Sequence, residues 1–257
     1  MDPNLNDLLA ETARLHRHLC PRQVLGVRMG LQAGALLGLA VPQADKRLLT
    51  IVEMDGCFAD GVSTAVNCWV GRRTLRVEDF GKTAASFVDT WTGLGVRISP
   101  RDGIRVAARD YAPETRHSWQ AQLWGYQRMP AAELLRWEAI SLKRPIQEIL
   151  GRPGARTVCD HCGEEILNCR EIVRGEETLC QGCAGAAYYT ASAARSLGAA
   201  SVPEDAASSS THAGDQGVEA QLVDHASANA TRWTTHESIP SFVHGSLCMR
   251  PPSARTR

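Results

Sequence analysis

Four cysteines past the middle of the chain constrain it more than any other feature. Cys159, Cys162, Cys180 and Cys183 form two Cys-x-x-Cys pairs separated by 17 residues. Each pair sets two sulfurs on one tight turn, where backbone amides can donate to them. Two such knuckles close a tetrahedral zinc site. The residues between suit a ribbon hairpin, with extended segments over Ile166–Val173 and Glu177–Leu179 and a turn at Gly175. A module over 157–189 is too short to fold on hydrophobic burial alone, so metal binding is expected to supply much of its folding free energy. Four thiolates leave no open coordination position, which predicts structural zinc rather than catalysis. His161 and Cys169 read as bystanders.

The whole chain carries nine cysteines. An odd number fits poorly with a fully paired disulfide framework, so reduced thiolates and a cytoplasmic address are expected. The 28 basic and 28 acidic residues cancel. Binding to a nucleic-acid backbone depends on excess positive charge, which makes nucleic acid an unlikely partner. Within the ribbon, Arg170 and Arg174 are outnumbered by Glu164, Glu165, Glu171, Glu176 and Glu177. No run of 18 apolar residues predicts a membrane span. Met1–Glu11 holds two aspartates and no basic residue, unlike a secretion signal.

The composition divides the chain into a globular part over 1–150, the ribbon over 157–189 and a tail over 190–257. A boundary lies in the glycine- and arginine-rich stretch 151–157. In the tail, 21 of the 41 residues from Thr190 to Ala230 are Ala, Ser or Thr, too few large apolar groups for a core, so disorder is expected. In the first part, Leu8, Leu9, Thr12, Leu15 and Leu19 recur at helical spacing, and Pro21 stops or bends that helix. Val24–Leu39 reads as a second helix. Its Gly26, Gly30, Gly34 and Gly38 share one face and permit close approach of a neighbour. Leu48–Met54 reads as a buried strand, followed by a turn around Gly56 and a helix capped by Asp60. Leu75–Val77, Ala84–Asp89 and Gly95–Ile98 read as short strands, and the segments after Asp102 and Pro130, the latter over Ala131–Ile140, as helices. The expected class is α+β, a small mixed sheet packed with helices. GLQAGALLG lacks both the G-x-G-x-x-G spacing and the lysine of a phosphate loop, so nucleotide binding has no motif behind it.

A second cluster of ligand types opens the globular part. His16, His18 and Cys20 alternate within HRHLCP. Residues two apart do not face one another on a helix, so this run must leave the helix to form a site, and Pro21 allows that. Imidazole with thiolate suits zinc, iron, nickel or copper. A capping or core role for each histidine is the alternative. Cys57 follows the first strand within EMDGCFADG, where sites gather in folds that mix strands and helices, and Asp55 and Asp60 flank it. Cys68 reads as a ligand or as a small buried hydrophobe. Lys82 could neutralise a substrate carboxylate or pair with Glu78.

These residues carry a resemblance. HRHLCPRQVLGVRMG, then VEMDGCFADGVSTAVNCWVGRRTLRVEDFGKTAASFV, then the paired Cys-x-x-Cys ribbon together resemble the FmdE family, named for formylmethanofuran dehydrogenase, over roughly 12–189. The shared motifs are His-x-His-x-Cys-Pro, a cysteine followed closely by Asp and Gly, a second cysteine before a glycine turn, and Asp/Glu-Phe/Tyr-Gly-Lys. The chain departs from the family at Arg17 and Arg22, where the family usually has glycine. It departs again along the loop Asn67–Leu75. The stretch 116–127, RHSWQAQLWGYQ, maps to no family feature.

The resemblance implies an accessory protein rather than the pterin-bearing catalytic component, and a homodimer with metal held by His and Cys. It implies service to a molybdenum or tungsten oxidoreductase partner. On this reading His18, Cys20 and Cys57 bind a second metal, with His16 and Cys68 as further candidates. Two other functions compete: a zinc-dependent enzyme acting on a small molecule, with Asp55 or Asp60 as base and Lys82 nearby, and a zinc-ribbon regulator that binds a partner.

Overall fold

A computed structural model describes residues 5–151 and 153–190. The chain divides into two units, Met1–Gly154 and one that begins at Ala155. The expected disorder of the tail falls, past Thr190, outside the described residues.

In the first unit, helix α1 (Leu5–His16) buries Leu8, Leu9 and Thr12. It stops where Arg17 takes a left-handed backbone, φ 65°, a conformation that glycine adopts more cheaply. Pro21 then opens α2 (Pro21–Leu37), where its missing N–H and preset φ cost nothing. Gln23, fully buried, joins the two helices: its Oε1 accepts from the Cys20 amide at 2.8 Å, and its Nε2 donates to the Thr12 carbonyl at 3.2 Å. After α2 come β1 (Leu48–Val52), α3 (Cys57–Val66), β2 (Leu75–Val77), β3 (Ala85–Asp89) and β4 (Gly95–Pro100). The short α4 (Ile104–Ala107), α5 (Ser118–Arg128), α6 (Ala131–Leu134), β5 (Leu135–Ile140) and α7 (Ile146–Leu150) complete the unit.

The five strands form one mixed sheet in the order β2-β1-β3-β4-β5. β1 and β2 run parallel, and the other pairs are antiparallel. The central strand β3 is buried along its whole length. Helix α2 packs on β3 and β4 and also against α1, α3 and α5. The expected α+β class, helices on a small mixed sheet, is what this unit shows.

The glycine face of α2 has a specific use. A Cβ at Gly26 would run into the Phe58 carbonyl oxygen and the Val62 amide of α3. One at Gly61 of α3 would strike the Gln23 carbonyl. The two backbones therefore touch, which only paired glycines permit. Gly30 faces Ala65 of α3, Gly34 faces Val41, and Gly38 ends the helix with φ 64°. Helix α5 is held from α2 by Arg28, whose guanidinium donates to the carbonyls of Tyr126, Gln127 and Met129 at 2.6, 3.0 and 2.7 Å. A cation thus satisfies the carbonyls left unpaired at that helix end.

Three local expectations are corrected. The helix expected over Ala131–Ile140 is one turn, α6, followed by strand β5. Leu, Ala and Glu favour helix in isolation, but β4 offers an open edge, and residues 135–140 pair with it from Pro100↔Leu135 to Gly95↔Ile140. The helix expected after Asp102 shrinks to α4. Asp60 does not cap α3, because Gly56 occupies the N-cap and Asp60 lies inside the first turn.

At one end of the sheet Asp89, with a side chain only 3% exposed, accepts from Arg47 at 2.9 and 2.7 Å. That pairing, with further donation from the Trp91 amide and Thr92 hydroxyl, holds its carboxyl well below the usual carboxylate range.

Two outcomes follow from this packing. Gly26→Ala should destabilise the protein by about 2–3 kcal/mol through overpacking against α3, read by chemical denaturation. A change under about 0.5 kcal/mol would contradict the backbone contact. Asp89→Asn should cost about 2–3 kcal/mol at neutral pH. Because the folded carboxyl is the stronger acid, its contribution is complete above about pH 4 and is lost as pH falls further. The difference between wild type and variant should therefore shrink below about pH 4, as acid titration of stability would show.

Candidate metal centres

The break after α1 and the start of α3 bring four residues of the sequence motifs together. His16, the last residue of α1, points Nε2 at Cys57 Sγ across 3.2 Å. Its Nδ1 lies 2.7 Å from Asp60 Oδ2, one helical turn beyond Cys57. Asp60 thereby fixes the ring and leaves Nε2 to face the thiol, the arrangement by which carboxylates orient metal-binding imidazoles. The His18 ring lies 4.6 Å from the His16 ring, centroid to centroid. Ligand atoms of His16, His18 and Cys57 all fall within 4.8 Å of one another, a spread that one ion can span. Cys20, buried at the start of α2, stands beside Cys57. Burial first, then contact with the Cys20 thiol, pushes the Cys57 thiol up. Two neighbouring thiols resist ionisation unless a cation joins them.

This cluster borders a cavity of about 700 Å³. Cys20 and Cys57 lie in its lining. Arg22 of α2, Arg101 and Arg105 after β4, and Trp119, Gln122 and Tyr126 of α5 supply much of the rest. Burial pushes the Tyr126 phenol up to about 12, so it stays neutral. Three protein ligands beside such a space leave a coordination position open to a small molecule.

In the second unit, β6 (Arg156–Val158) pairs with β7 (Glu165–Leu167), and β8 (Ile172–Arg174) pairs with β9 (Glu177–Leu179). The single extended segment expected over Ile166–Val173 is split, because Asn168 and Cys169 take left-handed backbones, φ 62° and 56°. Gly175 makes the predicted turn, with φ 63°. The sulfurs of Cys159, Cys162, Cys180 and Cys183 lie within 4.8 Å of one another. The Cys180 amide donates to Cys159 Sγ at 3.2 Å, and the Cys183 amide to Cys180 Sγ at 3.3 Å. Backbone donors of this kind lower the Cys159 thiol to about 6, whereas the adjacent Cys180 thiol raises Cys183 to about 12. Four thiolates at this spacing need a cation among them, and a four-sulfur set suits zinc. His161 and Cys169 lie outside both ligand clusters.

The family model for FmdE, described as molybdenum formylmethanofuran dehydrogenase operon, matches residues 15–148, more than half of the 257-residue chain. The chain belongs to the FmdE family. It is 28% identical over 206 residues to a probable S-adenosyl-L-methionine-binding protein of Archaeoglobus fulgidus, an alignment covering 72% of this chain and 54% of that protein. The chain thus spans about half the length of that curated relative. A crystal structure of a tungsten formylmethanofuran dehydrogenase FmdE-like protein from Syntrophus aciditrophicus is also similar. It shows 22% identity and a TM-score of 0.49, with coverage of 72% of this chain and 95% of that one.

The matched residues hold the whole His/Cys cluster of this FmdE-like accessory domain. The structure joins His16, His18 and Cys57, with Cys20 alongside, and sets other candidates apart. Cys68 is buried, and its thiol donates to the Leu48 carbonyl at 3.3 Å. Asp55 and Lys82 are exposed, and neither side chain forms a hydrogen bond or ion pair among the described residues. Glu78 and Lys82 lie between β2 and β3 rather than on a helix, so their four-residue spacing brings no pairing. Sequence reasoning passed over the Asp60–His16 pair, for which its only signal was proximity to Cys57. It also passed over Arg101, Arg105, Trp119 and Tyr126, which no motif marks.

Among the described residues no helix is long and apolar enough to cross a membrane. The second unit has only a small apolar cluster, Cys159, Ile166 and Leu179. Stripping zinc with a strong chelator, or replacing Cys183→Ser, should therefore unfold it while the first unit survives. Amide hydrogen exchange should show loss of protection over 155–190 and unchanged protection in α2 and β3. Full protection of the ribbon in metal-free protein would refute the assignment.

Proposed function

We propose that this chain is an accessory metalloprotein that holds a metal ion or small metallic cofactor in its first unit and a structural zinc in its ribbon. His16, His18 and Cys57 are the ligands, Cys20 is positioned to join them, and Asp60 orients His16. The observation that carries this reading is the 3.2 Å approach of His16 Nε2 to Cys57 Sγ with Asp60 on the other ring nitrogen. Metal-binding imidazoles are oriented in this way, with a carboxylate on the ring nitrogen that faces away from the ion, and His18 completes a three-ligand set with them. The FmdE description supports an oxidoreductase-related partner, and the reading extends it to a molybdenum or tungsten oxidoreductase served by a homodimer in the cytoplasm.

A second reading has one specific support, the cavity beside Cys57. Three ligands and an open position also suit a metal that acts on, or binds, a small molecule. The name of the Archaeoglobus fulgidus relative supports a nucleoside-bearing ligand there. Asp60 is engaged with His16, so on this reading it positions the ring rather than acting as the base.

Elemental analysis of the purified full-length protein should find two metal ions per chain. Cys57→Ala and His16→Ala should each remove one of them and leave the ribbon zinc. Asp60→Asn should weaken the first site by about 10–100-fold without touching the ribbon. One metal per chain, unchanged by Cys57→Ala, would remove the proposal.

A further inference from the structure

We infer that the cavity beside Cys57 is an anion-selective pocket, built to take a small molecule with a carboxylate or phosphate group and a flat ring. This deepens the second reading above, that of a ligand in this cavity. The charge recognition does not require the metal to be present.

Three arginines reach one cavity. Arg22 and Arg105 form neither a hydrogen bond nor an ion pair among the described residues. Arg101 spends its Nε on the carbonyls of Ala132 and Leu135, at 2.7 and 3.2 Å, which fixes the side chain at its place in the lining. Guanidinium groups held without carboxylate partners repel one another and suit a bidentate oxyanion. The lining contains one carboxylate, Asp102, whose side chain is 98% exposed and whose nearest cation, Arg136, lies 3.9 Å away. It leaves the excess positive.

The remaining walls specify more than charge. Trp119, 51% exposed, lines the cavity, and the Tyr126 hydroxyl donates to Gln122 Oε1 at 3.4 Å. A flat ring can stack on the indole, and Gln122 can hydrogen-bond a polar edge. A volume of about 700 Å³ lies within the roughly 300–1,000 Å³ of small-molecule sites. Arg22 is also one of the two arginines by which the sequence departs from the family it resembles. It lines the same cavity as Cys20 and Cys57.

The test uses three probes that share one ring. Adenosine has no anion, adenosine monophosphate adds a phosphate, and adenosine-5′-carboxylic acid carries a carboxylate at the same position. Titration calorimetry on the full-length protein, metal-loaded and chelated, should show at least one anionic probe binding ten-fold or more tightly than adenosine. Which one wins separates phosphate from carboxylate. Arg22→Gln/Arg105→Gln should lose at least ten-fold for that probe and almost nothing for adenosine, and Arg105→Gln alone should lose several-fold. Trp119→Ala should weaken all three. Inorganic phosphate should compete at millimolar concentration. Equal binding of adenosine and the anionic probes, or an unchanged double arginine variant, overturns the anion pocket but leaves a cavity ligand standing. No binding by any probe overturns it too, and a metal count of two would then leave the metal site intact.

Discussion

The backbone contact between α2 and α3 is the constraint on which the first unit depends. Gly26 lies on the Phe58 carbonyl and the Val62 amide, and Gly61 lies on the Gln23 carbonyl. The crossing falls close to the start of both helices. It therefore sets Cys20, immediately before α2, beside Cys57, the first residue of α3. A side chain at either glycine would wedge the helix starts apart and separate the thiols. Stability and site geometry thus rest on the same close approach, since packed interiors yield little to added volume.

Charge is arranged around that contact in two ways. On one side, Asp60 and His16 pair next to Cys57, and the thiol is driven toward its neutral form by burial and by Cys20. On the other, Arg22, Arg101 and Arg105 border the cavity with no carboxylate partner among the described residues. The ribbon repeats the first arrangement without the second. Its four sulfurs face one another and amides of the knuckles point at them, so four thiolates supply the full tetrahedral set of one ion.

How much could be read without coordinates differs element by element. Helix α2 was legible from apolar spacing, and its glycine face announced a close neighbour, though not that α3 was the neighbour. β1, β2, β3 and β4 were legible because aliphatic runs between turn residues have few other solutions. β5 was not. Its residues favour helix locally, and only the free edge of β4 makes them a strand. In the sequence Asp60 reads as a helix cap or a base, because nothing there reveals that His16 lies 2.7 Å away. Likewise α5 resembled nothing in the family, yet it supplies one wall of the cavity and is held by Arg28 from 98 residues earlier in the chain.

The sequence by itself determined the four-cysteine ribbon, because Cys-x-x-Cys spacing prescribes a local turn and needs no distant partner to give it meaning. It also determined the α+β class and the FmdE kinship, since periodicity and ordered motifs are properties of the chain. The membership of the second ligand cluster was decided only by tertiary structure. His16, His18, Cys57 and Asp60 are separated by up to 44 positions and meet because α1 breaks at Arg17 and α2 crosses α3. The convergence of three arginines on one cavity was decided the same way. Local spacing specifies turns, but which side chains share a space depends on how helices pack, and that is a property of the whole core.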